Sequence, residues 1–402
     1  MRKQWTVVGL ALLSGAALAG APSQAAAELK VGVSGYVKLD IQYSDKIVGD
    51  IQGMPSPSPG STPLDTNLEK DNNQTIIDAR ESRLRVTFSD EVAGVKMSGR
   101  IESDFFNTTG GDVQTSNSRR ARLRHAFARA DHPSGFSLLA GQTWSLFMNS
   151  DIAQPDLVDF NGPAGQVFAR QPQLRVGYKT PLAKGMGDLL LEADIERHSV
   201  GDNTTGDLGA TATTQGEGQT TPLFAGKVSW LHPRFQAEAA FAVADSTVII
   251  PVTGNDVSET AWGFQVSAQA NFDPFTVFGH YQVIDGLGRL ANGDFPSAFL
   301  VGTTSVENVE STGFYLGATY NLTKDTSVTG MYGWAKADAV PGTNFNATST
   351  NQETQQSIHI TLLHKFWQRW QAGLEFRRFD VEAFNGTSGD VNILHGALWF
   401  FF

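Results

Sequence analysis

The chain has 402 residues, with 30 basic and 41 acidic side chains and a formal net charge of −11. It therefore lacks the basic surface that phosphate contacts need, and the composition argues against a nucleic-acid partner. There is no cysteine, which excludes disulfides and thiolate metal sites. Beyond the N-terminal segment no run of about 18 apolar residues occurs, so the sequence predicts no membrane-spanning helix.

The first 27 residues have the pattern of a secretory signal peptide. Arg2 and Lys3 precede an apolar stretch, and small residues end in a run that closes at Ala27. This pattern predicts cleavage after Ala27 and export of a domain formed by residues 28–402. A membrane anchor is the alternative, but the apolar stretch is too short to span a bilayer. Loss of Arg2 and Lys3 changes the net charge from −11 to −13.

From residue 37 onward, apolar and polar side chains alternate with period two. Val37 and Leu39 are apolar, whereas Lys38 and Asp40 are charged. Similar segments recur to the C-terminus and predict about sixteen antiparallel strands. The 41 glycines, the 10% aromatic content and the slightly negative mean hydropathy suit a transmembrane β-barrel with a polar interior. The predicted fold is thus all-β, in the outer membrane of a Gram-negative cell, in contact with its lipid.

The predicted connections alternate between short and long, as expected for periplasmic turns and external loops. The short ones are residues 131–135, 232–233, 273–274, 323–325 and 367–369, and the long ones are residues 43–74, 145–170, 199–221, 285–311 and 337–354. Aromatic residues collect beside the short turns, which is typical of a girdle at the membrane interface. They are Trp230, Phe272, Phe275, Tyr320, Phe366, Trp367 and Trp370. Ordinary turn packing is the alternative.

If the apolar residues face lipid, the side chains of opposite parity face the lumen. The inward basic residues predicted from the earlier strands are Arg83, Arg85, Arg100, Arg122, Arg124 and Arg175. The inward acidic residues of the later strands are Glu192, Asp194, Glu196, Glu238 and Glu375. The arginines either bind a substrate carboxylate, which guanidinium groups pair with bidentately, or are neutralised by Glu81, Glu102 and Asp104.

The long segment of residues 145–170 is predicted to fold into the lumen. It carries Asp151, Asp156 and Asp159, which would face the arginines across a narrow gap and create a transverse field. An external loop with solvated acids is the alternative. His125 and Arg129 have the lipid-facing parity of their strand, which favours a protein-covered patch and a trimer interface. Alternatively, Arg129 extends to the membrane interface.

Several motifs together resemble the DcaP-like porins. They are Leu123-Arg124-His125-Ala126-Phe127, Gly141-Gln142-Thr143-Trp144-Ser145, Asp159-Phe160-Asn161-Gly162, Arg170-Gln171-Pro172-Gln173 and Gly35-Tyr36-Val37-Lys38-Leu39-Asp40. The resemblance implies a homotrimeric 16-stranded porin that passes small anionic organic acids, above all dicarboxylates, through an arginine-lined constriction. Those arginines match Arg83, Arg85, Arg100, Arg122, Arg124, Arg170 and Arg175 here. Some members carry a coiled coil before the barrel; here the first strand follows the signal closely, so trimer formation is expected to rest on the barrel wall.

No constellation of catalytic residues stands out. The eight histidines lack His-Glu-x-x-His spacing, and neither a Gly-x-Ser-x-Gly motif nor a Gly-rich phosphate loop is present. The sequence therefore predicts a non-enzymatic channel without cofactor or metal, through which small hydrophilic solutes diffuse. A general or cation-preferring pore remains open, as does a barrel that serves an adhesin or receptor.

Overall fold

The computed structural model describes residues 29–48, 62–106, 120–150, 152–198, 221–249, 256–291, 295–301 and 305–402. The predicted signal peptide and Asp151 lie outside these ranges. No helix in the described ranges is both long and apolar enough to cross a membrane.

The described chain is built almost entirely from strands. They are β1 (Lys30–Ser44), β2 (Gln74–Asp78), β3 (Arg83–Val92), β4 (Val95–Asp104), β5 (Arg122–Asp131), β6 (Phe136–Trp144), β7 (Arg170–Pro181), β8 (Asp188–Glu196), β9 (Leu223–Leu231), β10 (Phe235–Ile249), β11 (Asp256–Phe272), β12 (Phe275–Asp285), β13 (Ala298–Val301), β14 (Ser305–Asn308), β15 (Glu310–Thr323), β16 (Thr326–Ala337), β17 (Gln352–Phe366), β18 (Trp370–Ala383) and β19 (Ser388–Phe401). Two short 3-10 helices cover Leu68–Asp71 and Gly288–Leu290.

The strands close into one antiparallel barrel. The last strand, β19, pairs with β1 from Tyr36 opposite Phe401 to Ser44 opposite Ile393. Strands β2 and β3 pair with different halves of β1 and so share one position, while β13 and β14 form a separate hairpin. The 17-stranded sheet therefore has 16 positions, which confirms the predicted barrel.

Alternation along the strands separates the two faces of the wall. On β1, Val37 and Leu39 are 55% and 43% exposed, whereas Lys38 and Asp40 are fully buried. Successive side chains of a strand point to opposite faces, so the apolar set forms the outer surface and the polar set faces the interior. This arrangement suits a barrel whose outside meets hydrocarbon.

Strand β5 departs from this alternation. Glu102 pairs with His125 but Ser103 pairs with Leu123, so Arg124 is an extra residue in a β-bulge. A bulge reverses the facing of every residue beyond it. Consequently Phe127 lies on the inner face, where the Arg100 guanidinium is 6.0 Å from its ring centroid. The prediction that His125 and Arg129 face lipid is wrong for the same reason.

The predicted loop of residues 285–311 contains structure that the sequence pattern did not indicate. The hairpin of β13 and β14 has strands of only 4 residues each, too short for a period-two pattern to stand out. Phe299 of this hairpin stacks on Phe345 of the loop after β16, with ring centroids 5.4 Å apart.

Candidate constriction of the barrel

The segment of residues 145–169, called here the lumen loop, connects β6 to β7 and crosses the barrel interior. At its start Leu146, Phe147 and Met148 are at most 1% exposed and pack on inward alanines of β9, β10 and β11. The backbone N–H of Leu146 donates to Oε1 of Glu196 on β8 at 2.6 Å. This apolar contact fills the side of the barrel that β8 to β12 enclose, and it confirms that the loop folds into the lumen.

Further along, the lumen loop is fixed by charged groups of the facing wall. Glu375 on β18 accepts hydrogen bonds from the backbone N–H groups of Val158 and Asp159, at 2.6 and 3.1 Å. Arg377, two residues along β18, pairs with Asp159. On β1, Nζ of Lys38 donates to the carbonyl oxygen of Val158 at 2.9 Å.

Inward glycines let the loop lie against this wall. A Cβ added at Gly373 would come within 2.6 Å of the Val158 side chain. One added at Gly333 would come within 2.4 Å of the Ala164 carbonyl oxygen, and one at Gly313 within 2.7 Å of Gly165. A larger residue at Gly333 or Gly313 would meet loop backbone and push the loop into the water path.

The neighbouring wall, formed by β3, β4 and β5 on the far side of β1, carries five of the predicted arginines on its inner face. This set is called here the arginine wall: Arg83, Arg85, Arg100, Arg122 and Arg124. Arg124 is bound on both sides, to Glu102 at 2.9 Å and to Asp104 at 2.8 Å. Those carboxylates also hold Arg85 and Arg122, each at 2.7 Å, and Arg83 lies 3.4 Å from Glu81.

Burial separates these arginines into two kinds. The side chain of Arg124 is only 3% exposed, so it belongs to the wall itself. Arg85 and Arg122 are 35% and 30% exposed, and their remaining N–H donors are open to the lumen. Neutralisation by Glu81, Glu102 and Asp104 therefore occurs, but it leaves part of the guanidinium surface accessible.

Arg170, at the start of β7, adds a further positive charge beside this wall. Its guanidinium lies 4.3 Å from the Trp144 ring centroid and 5.8 Å from that of Phe168. Within the described ranges, neither Arg170 nor Arg100 lies within ion-pair distance of a carboxylate. Four arginines thus share the three carboxylates of Glu81, Glu102 and Asp104, Arg100 and Arg170 add two more positive charges, and positive charge is in excess.

The acidic wall predicted from the later strands is present but enclosed. Glu192, Asp194, Glu196 and Glu238 face inward and are each at most 9% exposed. Arg175 lies 3.8 Å from Glu192 and 3.4 Å from Asp194. Glu375 is fully buried as well, under the lumen loop. These acids are therefore largely out of contact with water in the lumen.

The acidic residues of the lumen loop differ in burial and pairing. Asp159 is 2% exposed and is paired with Arg377 of β18 and not with an arginine of the arginine wall. Asp156 is exposed. The predicted field across the gap therefore lacks Asp159, because that carboxylate is neutralised by an arginine that the sequence analysis did not single out. Arg377 could have been predicted to face the lumen, because it lies two residues beyond the inward Glu375 on the same strand.

The fold and the charged lumen together define an outer-membrane diffusion channel. The chain belongs to the Gram-negative porin family, whose model matches residues 11–383. This agrees with the predicted outer-membrane location and with a channel rather than an enzyme. None of the curated proteins compared with the chain matched it.

Solved porins share the fold. The outer membrane channel DcaP of Acinetobacter baumannii is 24% identical, with a TM-score of 0.72, over 96% of this chain and 100% of that one. The anion-selective porin from Comamonas acidovorans is 13% identical, with a TM-score of 0.58, over 93% and 100%. The trimer form of OmpT from Vibrio cholerae is 12% identical, with a TM-score of 0.55, over 93% and 99%. The resemblance to the DcaP-like porins is thus supported at the level of the fold.

Proposed function

We propose that this porin prefers anions and passes small organic acids along the arginine wall. The observation that carries this proposal is the contrast in exposure between the two walls. Arg85 and Arg122 keep about a third of their side chains in contact with lumen water, at 35% and 30%. The acids of β8, β10 and β18 are at most 9% exposed. Because buried and paired charges act weakly on a passing ion, the exposed arginines set the sign of the potential.

The spacing of the arginines favours solutes with two carboxylates. Arg85 is held at the level of Glu102, and Arg122 at the level of Asp104, two residues along β4. Two residues of a strand span about 7 Å, which is comparable to the length of a small dicarboxylate. A guanidinium group at each level can pair with one carboxylate.

The test is the reversal potential of the refolded protein in a planar bilayer under a KCl gradient. The wild type is expected to prefer chloride, and Arg85→Gln with Arg122→Gln to lose most of that preference. One unit charge about 6 Å from an ion in water stabilises an anion and destabilises a cation by ~0.7 kcal/mol each, so each arginine changes the chloride-to-potassium permeability ratio roughly tenfold.

A matched control removes two positive charges from the outside of the barrel. Lys336 and Arg378 lie on the outer face, with side chains 43% and 38% exposed, and Lys336→Gln with Arg378→Gln is expected to leave the reversal potential unchanged. Succinate should reduce the chloride current more than its diamide does. Cation preference in the wild type, unaffected by the arginine substitutions, would instead indicate a general pore.

We further propose that the porin forms a homotrimer through the outer face of β3 to β6. Seven short turns join barrel strands at the end that carries the β3–β4 turn, all in the described ranges, and only the β3–β4 turn has no aromatic residue within four positions. Above that turn is an outer groove of about 500 Å³ whose lining includes Gly99, Ala126, Ala128 and Ala140 beside the larger Phe88, Met97 and Ile101. A gap in the girdle beside small residues suits contact with a second copy better than contact with lipid. OmpT, of similar fold, has a trimer form.

A further inference from the structure

A compact group of side chains holds the middle of the lumen loop. It is called here the latch and consists of Lys38, Glu375 and Arg377 on the wall and Val158 and Asp159 on the loop. Both backbone N–H groups of the loop residues donate to Glu375, and the Val158 carbonyl accepts from Lys38. The carboxylate of Asp159 pairs with Arg377. Donors and acceptors of the loop are thus satisfied by the wall rather than by water.

The latch is closed to solvent. The side chains of Glu375, Arg377 and Asp159 in their ion pairs are all 0% exposed. Arg377 is further held by Gln42, whose Oε1 accepts from it at 2.7 Å. Val158 is 1% exposed, in the notch that Gly373 leaves. A buried carboxylate that loses its partner is strongly destabilised, so loss of Arg377 should drive Asp159 out of the wall toward water.

The latch is connected to the arginine wall through the next residue of the chain. Phe160 follows Asp159, and its ring centroid lies 5.9 Å from the Arg122 guanidinium. The same ring meets Phe106, the second residue beyond β4, edge to face at 4.8 Å. The pairing of Asp159 with Arg377 on β18 therefore determines where Phe160 meets Arg122 on the neighbouring arginine wall.

We propose that Arg377 and Glu375 are positioning residues of the constriction. They hold the lumen loop so that Phe160 stays in contact with Arg122. The two residues contact no water in the lumen and so do not select ions themselves. They act through the loop, and removing them releases residues 157–160 into the water path. This inference rests on the channel fold and is independent of anion preference.

The experiment uses single-channel recording of the full-length protein in symmetric salt, where ion preference does not enter. Arg377→Met is expected to produce frequent partial closures and a lower mean conductance, because the released loop moves in and out of the path. Glu375→Gln, which keeps the size of the side chain, is expected to give fewer closures of the same kind. The heat-induced mobility shift on electrophoresis verifies that each variant forms a folded barrel.

A crosslink separates loop position from other effects of these substitutions. The chain has no cysteine, and a Cβ at Gly373 would lie 2.6 Å from Cγ2 of Val158, so Val158→Cys with Gly373→Cys can place two sulfurs within bonding range. In the Arg377→Met background, oxidation should abolish the closures and reduction should restore them. A quiet Arg377→Met channel, or closures that persist in the oxidised protein, would overturn the proposal.

Discussion

Arginines of the same wall have different tasks because their burial differs. Arg124 lies between two carboxylates and has almost no contact with water, so its charge is used in holding β4 to β5. Arg85 and Arg122 bind the same carboxylates but are partly exposed to the lumen, where they keep N–H donors for other partners. Glu102 and Asp104 therefore have two roles: they neutralise the buried Arg124, and they orient the partly exposed Arg85 and Arg122.

This difference predicts unequal losses of stability for two similar substitutions. Arg124→Met leaves Glu102 and Asp104 buried with one partner fewer, and it should reduce the free energy of unfolding by about 3 to 5 kcal/mol. Arg85→Met removes a partly exposed charge and should cost under about 1 kcal/mol. Urea titration of the protein in lipid vesicles measures both. Equal losses for the two variants would show that Arg124 is no more structural than Arg85.

At the scale of single elements, the β-bulge of β5 decides which residues line the lumen. An uninterrupted β5 would put Phe127 and Arg129 on the lipid side, whereas the extra residue at Arg124 turns both inward. The bulge also brings Arg124 and His125 to the same face. His125 then reaches Thr143 on β6, with Nδ1 3.0 Å from the hydroxyl oxygen. A single inserted residue thus enlarges the polar lining beside the arginine wall.

Thiol labelling in the cysteine-free chain tests this facing. A water-soluble maleimide that enters the lumen should label Arg129→Cys quickly and Ala128→Cys at least about tenfold more slowly, because Ala128 lies on the outer face away from water. Without the bulge the order would be reversed. Mass spectrometry of the protein in lipid vesicles gives both rates, and exposed Ser134→Cys in the β5–β6 turn serves as a reference for full reactivity.

The sequence pattern was sufficient for the strands and for the inward fold of the lumen loop, but not for the contacts that hold that loop. Alternation as in Val37 to Asp40 depends only on the two faces of one strand, so it can be recognised in the sequence without knowing which strands pair with it. The pairing of Asp159 with Arg377 joins residues 218 positions apart in the chain, and no local pattern reports such a contact. The β5 bulge was missed for a related reason, because it is visible only as a shift in pairing with β4.

In the whole molecule, the lumen loop fills one part of the barrel interior and leaves another part open. Apolar packing of Phe147 against β9 to β12 closes one side, and the latch fixes the loop to a second side. The partly exposed Arg85 and Arg122 place the open part of the lumen beside the arginine wall, and the β3–β4 turn of this wall has no aromatic residue within four positions. The solute path and the proposed subunit contact would therefore share β3 to β5, and a neighbouring copy would stiffen the wall that carries the exposed arginines.

The subunit contact can be tested by filling the outer groove. Ala128→Phe with Ala140→Phe places two large side chains where a second copy is proposed to approach, and should shift the protein from trimer to monomer in detergent, measured by light scattering after size-exclusion chromatography. Ala193→Phe with Ala268→Phe adds the same volume to the outer faces of β8 and β11, where lipid can yield, and should leave the trimer intact. Because apolar substitutions facing lipid cost little, a monomer obtained only with the first pair would locate the contact. A trimer that persists in both would place it on another face of the barrel.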